Sequence, residues 1–186
     1  MLWLLVKGLS PALAATALPA SGSDTVDSLV IFSVRQNDLW LAAQQQGNYA
    51  GALAISAATE TRLDQALHRE AAKLPAHGSD THPQNLARLQ YALALVYHQQ
   101  GTSYAAQGSL HQLRSEYAAF HAALKNSAQL LLKSWELLQI SAPVIGHAVN
   151  PEQESLALAA LLKVAETYQL QGQLQTAQPL LNRAGR

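Results

Sequence analysis

The side chains in this chain best suited to holding a metal ion or moving a proton near neutral pH are its seven histidines. His68, His77 and His82 fall in or beside one stretch rich in turn residues, while His98, His111 and His121 fall in helical sequence. A helical zinc site wants two histidines four residues apart, and no pair here has that spacing. No HExxH segment or carboxylate cluster accompanies them. Cysteine is absent, which removes disulfides, thiolate ligands and thiol nucleophiles and leaves the compartment open. Ser10, Ser21 and Ser23 lie in low-complexity sequence without a G-x-S-x-G elbow, and the glycines are isolated rather than grouped as a phosphate loop. Asp24 with Asp27, and Glu152 with Glu154, fall where a helix start attracts negative charge, which accounts for them without a paired acid and base. The histidines read as solvated or hydrogen-bonded groups. The expectation is a non-catalytic chain with no metal and no cofactor.

The elements that carry these residues follow from composition. Hydrophobic residues make up 49% of the chain and charged residues 13%, about half the usual share. Nineteen glutamines must supply much of the polar surface. Twelve basic residues balance twelve acidic ones and no Lys/Arg run occurs, so nucleic acid is disfavoured as a partner. Alanine, leucine and glutamine dominate, β-branched residues rarely run together, and the class is all-α. A length of 186 residues supports one domain with a real core.

Residues 1–23 form an apolar segment and linker, and residues 24–186 the helical domain. The segment ends in small residues before SGSD at 21–24, as a secretory signal does, but Lys7 interrupts the apolar run and Pro11 divides it. It reads either as such a signal or as a short amphipathic stretch docking on the first hairpin. A stable membrane span is not expected, because roughly 20 uninterrupted apolar residues are needed. The broken run favours a cytoplasmic chain over a secreted one.

Six helices are predicted. Ser23 or Asp24 caps the first, which runs to about Gln46, where Gly47 closes it. Asn48 caps a second, from Tyr49 to about Ala72, and residues 74–82 are a loop. Pro83 opens a third, ending at Gly101. Thr102 or Ser103 begins a fourth, reaching Ile140, with Leu110, Tyr117, Leu124, Leu131 and Leu138 every seven residues along it. That stripe suits a helix packing across several others, with an intermolecular coiled coil as the alternative. After a loop at 141–149, Asn150-Pro151-Glu152 starts a fifth helix to about Gln171, and Gly172 leads to the sixth, from Gln173 to Ala184.

The last two helices carry small residues where backbones would cross (Ala165, Ala177, Ala184), a large one to wedge between layers (Tyr168) and a turn glycine (Gly172). This pattern resembles the tetratricopeptide repeats. The run from Gly172 through Pro179 and Arg183 is similar to the kinesin-light-chain variety, with Pro179 expected near the start of a short helix. Fainter copies hold Leu39, Trp40, Ala43, Gly47, Tyr49 and Ala52, then Leu93, Ala94, Tyr97, Gly101 and Ala106, though Ser56 and Thr59 depart from the pattern. The three glycines are 54 and then 71 residues apart, against roughly 34 in a regular array. The resemblance implies antiparallel hairpins stacked as a short solenoid, with a closed helical bundle as the alternative.

It also implies a job. Such arrays bind other proteins along the first helix of each hairpin. Aligned by the turn glycine, the ligand-facing positions become Asn37, Leu41, Gln44 and Gln45; Tyr91, Leu95, His98 and Gln99; and Leu162, Glu166, Gln169 and Leu170. The face is neutral and glutamine-rich with no basic cluster, which disfavours capture of a C-terminal carboxylate and suits a peptide or helix of mixed apolar and amide character. The expected function is a protein-interaction scaffold or adaptor with a protein partner or a second copy of itself. A secreted or periplasmic chain whose repeats are purely structural is the alternative.

Overall fold

A computed structural model describes residues 25–73, 81–148, 151–170 and 172–184. They form six helices and, among the described residues, no strand: α1 (Val26–Gln45), α2 (Tyr49–Ala71), α3 (Thr81–Leu113), α4 (Tyr117–Val144), α5 (Pro151–Leu170) and α6 (Leu174–Ala184). The protein is all-α. Each helix packs on its neighbours in the chain, and α1 also reaches α3.

Local chemistry sets the boundaries. Thr25, one residue beyond the predicted Asp24, caps α1 by accepting the Ser28 amide at 3.2 Å. Asn48 caps α2 as expected, its Oδ1 accepting the Gly51 amide at 3.0 Å. The Asn150 cap falls outside the described residues. Four helices, α1, α3, α4 and α5, end in the same way. A residue with positive φ follows the helix, and the next amide bonds back five residues: Asn48 to Ala43, Glu116 to His111, His147 to Ala142, and Gln173 to Tyr168, at 2.8–2.9 Å. Glycine occupies the left-handed position three times, at Gly47, Gly146 and Gly172; Ser115 occupies it once, with φ 60°.

That serine corrects the reading of the middle of the chain. The third helix does not stop at Gly101; α3 runs unbroken through Gly101 and Gly108, and the turn comes at 114–116. The fourth helix therefore begins at Tyr117, and the seven-residue stripe from Leu110 to Leu138 crosses a turn instead of lying on one helix. Gly101 is a packing residue: a Cβ there would lie 2.6 Å from Leu131 Cγ and 3.2 Å from the Leu131 backbone nitrogen. Buried small residues recur every seven positions on both helices, Ala87, Ala94, Gly101 and Gly108 on α3, and Ser127, Ser134 and Ser141 on α4. Where Ala94 meets Ser134 the serine hydroxyl donates to the alanine carbonyl at 2.6 Å. Small side chains let the two backbones approach closely, so this long hairpin is the spine of the molecule.

Two apolar cores flank the spine. One joins Leu29 of α1, Leu63 and Ala66 of α2, and Leu89, Ala92, Leu93, Val96 and Tyr97 of α3, with Leu130 and Leu137 of α4 packed against it. The other joins Leu124 and Ala128 of α4 to Val164 of α5, with Phe120, Tyr168 and Leu180 alongside. Ala52, Ala165 and Ala177 are all buried, as helix crossings require. Ser56 and Thr59 are buried too, and their hydroxyls donate to the carbonyls of Ala52 and Ile55, so they serve as small core residues. Pro179 lies in the middle of α6 on its exposed side, not near its start.

Candidate functional site

A concavity opens between the first halves of α1 and α3 and the end of α4, with a volume of about 510 Å³. Helical periodicity builds two of its walls. Val30 and Val34 lie one turn apart on α1, and Gln84, Arg88, Tyr91 and Leu95 share one face of α3. Val144 and Ile145 form the third wall. Beyond them the Gly146 turn sends the chain back, so that the His147 ring lies 5.2 Å from that of Tyr91, tilted by 31°.

The lining is mainly aliphatic and aromatic. Ser33 donates its hydroxyl to the Val30 carbonyl at 2.7 Å, which spends its polarity inside α1. Arg88 pairs with Asp27 at 2.6 Å across the rim, so the two charges cancel. Val34 is 59% exposed, and Ile31 beside the groove is 55% exposed. Apolar clefts of this size with few polar groups are common at ligand and partner sites in proteins generally.

Farther along the same two helices the contact becomes polar and closed. Gln99 donates to Asn37 Oδ1 at 2.7 Å. Trp40 Nε1 donates to the Ser103 hydroxyl at 3.0 Å, Gln44 also donates to it, and Ser103 donates onward to the Gln99 carbonyl. On the other side of α3, Gln100 donates to Glu60 at 2.7 Å. Gln99, Gln100 and Ser103 are all buried, so these bonds fix how α1 and α2 sit on α3. Burial holds the His98 imidazole below its ordinary value and favours the neutral ring.

The twelve predicted ligand-facing residues therefore divide. Tyr91 and Leu95 line the groove. Asn37, Gln44 and Gln99 are engaged with one another's helices, and half-buried His98 is beside them in sequence. Leu41 and Gln45 are exposed on α1. Leu162, Glu166 and Gln169 are exposed on α5, and the side chain of Leu170, like that of Ala184, lies outside the described residues. The structure adds Val30, Val34, Val144, Ile145 and His147, which sequence reasoning missed. Val30 and Val34 did have a signal, an apolar pair one turn apart in a helix whose buried face already had Leu29.

A separate polar centre joins α2 to α3. Glu70 is buried and accepts hydrogen bonds from Lys73 and from Asn85 Nδ2 at 3.2 Å, with His82 Nδ1 3.5 Å away. The Lys73 hydrogen bond outweighs burial and, with help from Asn85 and His82, holds the Glu70 carboxyl below its ordinary value. Buried Tyr97 is pushed the other way, first by burial and then by Glu60 and Asp64, so it stays a neutral phenol. Among the described residues no three of His, Cys, Asp and Glu gather as a metal-binding group; His77 lies outside them. No described helix is long and apolar enough to cross a membrane. No protein-family model matches the chain, and neither a curated protein nor a solved structure does.

Proposed function

We propose that this chain is a non-catalytic interaction scaffold, built as a short tetratricopeptide-like array, that receives an apolar peptide or partner helix between α1 and α3. The observation that carries this reading is the groove of about 510 Å³, in which Val30, Val34, Tyr91, Leu95, Val144 and Ile145 present apolar surface to solvent. Exposed apolar side chains gathered in one cleft favour a partner that buries them, whereas the same residues scattered would carry no such message. The walls present Cβ-to-tip aliphatic surface and little hydrogen bonding, so a helix bearing aliphatic anchors at three- and four-residue spacing fits better than a strand needing a backbone edge. Neighbouring polar bonds such as Asn37–Gln99 hold α1 and α3 apart at a fixed spacing, which favours a preformed site.

Selection from a random-peptide library, with counter-selection against a Val34→Asp, Leu95→Asp variant, tests the reading. Recovered peptides should be rich in aliphatic anchors and should bind the variant at least about 10-fold more weakly, roughly the loss of one buried apolar contact. Peptides that bind both proteins equally would end it.

A further inference from the structure

α1 is buried along one side, marked by Leu29 and Ala43, and exposed along the other. Ile31, Val34, Arg35, Asp38, Leu41 and Ala42 are all exposed, and at about 100° per residue they fall within an arc of about 120° opposite the buried side. Ile31, Val34 and Leu41 are 55%, 59% and 44% exposed. Arg35 and Asp38 lie one turn apart in the middle of this face, and neither forms an ion pair with another described residue. We infer that the face pairs with α1 of a second copy of the chain, antiparallel and about a two-fold axis. It shares only Val34 with the groove, and the inference does not rest on the reading of the groove as a docking surface.

The occupant is selected because the face is complementary to itself when reversed, as a two-fold interface requires. An axis midway between Gln36 and Asn37 sets Arg35 across from Asp38 of the other copy, and Asp38 across from its Arg35. In the same alignment Leu41 falls between Ile31 and Val34 of the other copy, offset along the helix by about 1.5 and 3 Å. Ile31 comes level with Ala42 of the other copy, a large side chain against a small one. One alignment therefore both opposes unlike charges and interleaves apolar side chains. A parallel pair would set Arg35 against Arg35 and Asp38 against Asp38, so charge selects the antiparallel arrangement. A single helix pair belongs to the small end of interfaces, below about 1,200 Å², and the association is weak and reversible.

Sedimentation equilibrium of the full chain at low salt, from about 5 to 500 μM, tests the pairing. The expected result is a monomer–dimer equilibrium. Arg35→Asp or Asp38→Arg alone places like charges across the axis twice, and each should weaken the dimer about 10-fold. Combining them restores both pairs in reversed order, so the double variant should return to within about 3-fold of wild type. An equimolar mixture of the two single variants should also associate more tightly than either alone. Ile31→Ser with Leu41→Ser should weaken the dimer at least about 10-fold. All four positions are exposed, and circular dichroism checks that each variant keeps wild-type helicity. A monomer throughout the concentration range would overturn the inference. So would a dimer indifferent to these substitutions, a double variant no tighter than the single ones, or a mixture no tighter than its components.

Discussion

Gly101 sits so close to Leu131 that a methyl group on its α-carbon would lie 2.6 Å from the leucine Cγ and 3.2 Å from its backbone nitrogen. The glycine that reads as a turn in the sequence is the contact that lets two long helices touch. In an exposed helix, Gly→Ala would gain about 1 kcal/mol. Overpacking costs about 1–3 kcal/mol, and a backbone atom cannot rotate away. Gly101→Ala is therefore expected to lower stability by up to about 2 kcal/mol in urea unfolding.

Ser115 does with a side chain what Gly47 does without one: both hold positive φ at the end of a helix. A left-handed conformation costs a non-glycine residue about 1–2 kcal/mol, partly offset by glycine's greater freedom in the unfolded chain. Ser115→Gly should raise stability by about 0.5–1 kcal/mol. A lowered urea midpoint would refute the left-handed turn at 114–116.

Ser127 and Ser134 sit two turns apart on the same face of α4, both almost fully buried, and differ in one respect. Ser134 bonds to the Ala94 carbonyl, whereas the Ser127 hydroxyl finds no partner among the described residues. An unpaired buried hydroxyl costs about 1–3 kcal/mol and a satisfied one contributes about 1 kcal/mol. Ser127→Ala should be neutral or stabilising, and Ser134→Ala destabilising by about 1 kcal/mol. Equal losses from the two would contradict this account of the α3–α4 contact.

The Glu70 centre predicts an acid sensitivity. Its folded carboxyl titrates below the ordinary value, so its contribution is fully present above that ordinary value and is lost as pH falls through the lowered one. Glu70→Gln should lose about 1.5–3 kcal/mol near neutral pH, where a charge-assisted hydrogen bond is removed, and should show a flatter acid limb than wild type. Urea midpoints taken from neutral pH to about pH 3 measure both effects.

The ends of α1, α2, α5 and α6 were legible because their turns advertise themselves: Gly47 with Asn48, and Gly172 after Tyr168. The α3–α4 boundary was not legible, because a serine takes the left-handed position there while Gly101 and Gly108 serve helix contact. Glycine is ambiguous between these two uses until the partner helix is known. Aligning on Gly101 as a turn glycine places Tyr91 and Leu95 on an inner helix face, and although Gly101 is helical, their four-residue spacing on α3 does bring both to the groove. Val144, Ile145 and His147 could not be placed there, since only the long-range folding of α4 against α3 brings them to the groove. The Asn37–Gln99 bond was hidden for the same reason: two amides read as groove-facing turn out to satisfy each other.

Amide chemical-shift mapping of the ¹⁵N-labelled full chain with a library-selected peptide locates the bound peptide residue by residue. Saturable shifts are expected at Val30, Val34, Tyr91, Leu95 and Val144, and are lost in the Val34→Asp, Leu95→Asp variant. Shifts confined to Leu162, Glu166 and Gln169 of α5, with the α1–α3 groove unmoved, would contradict that placement.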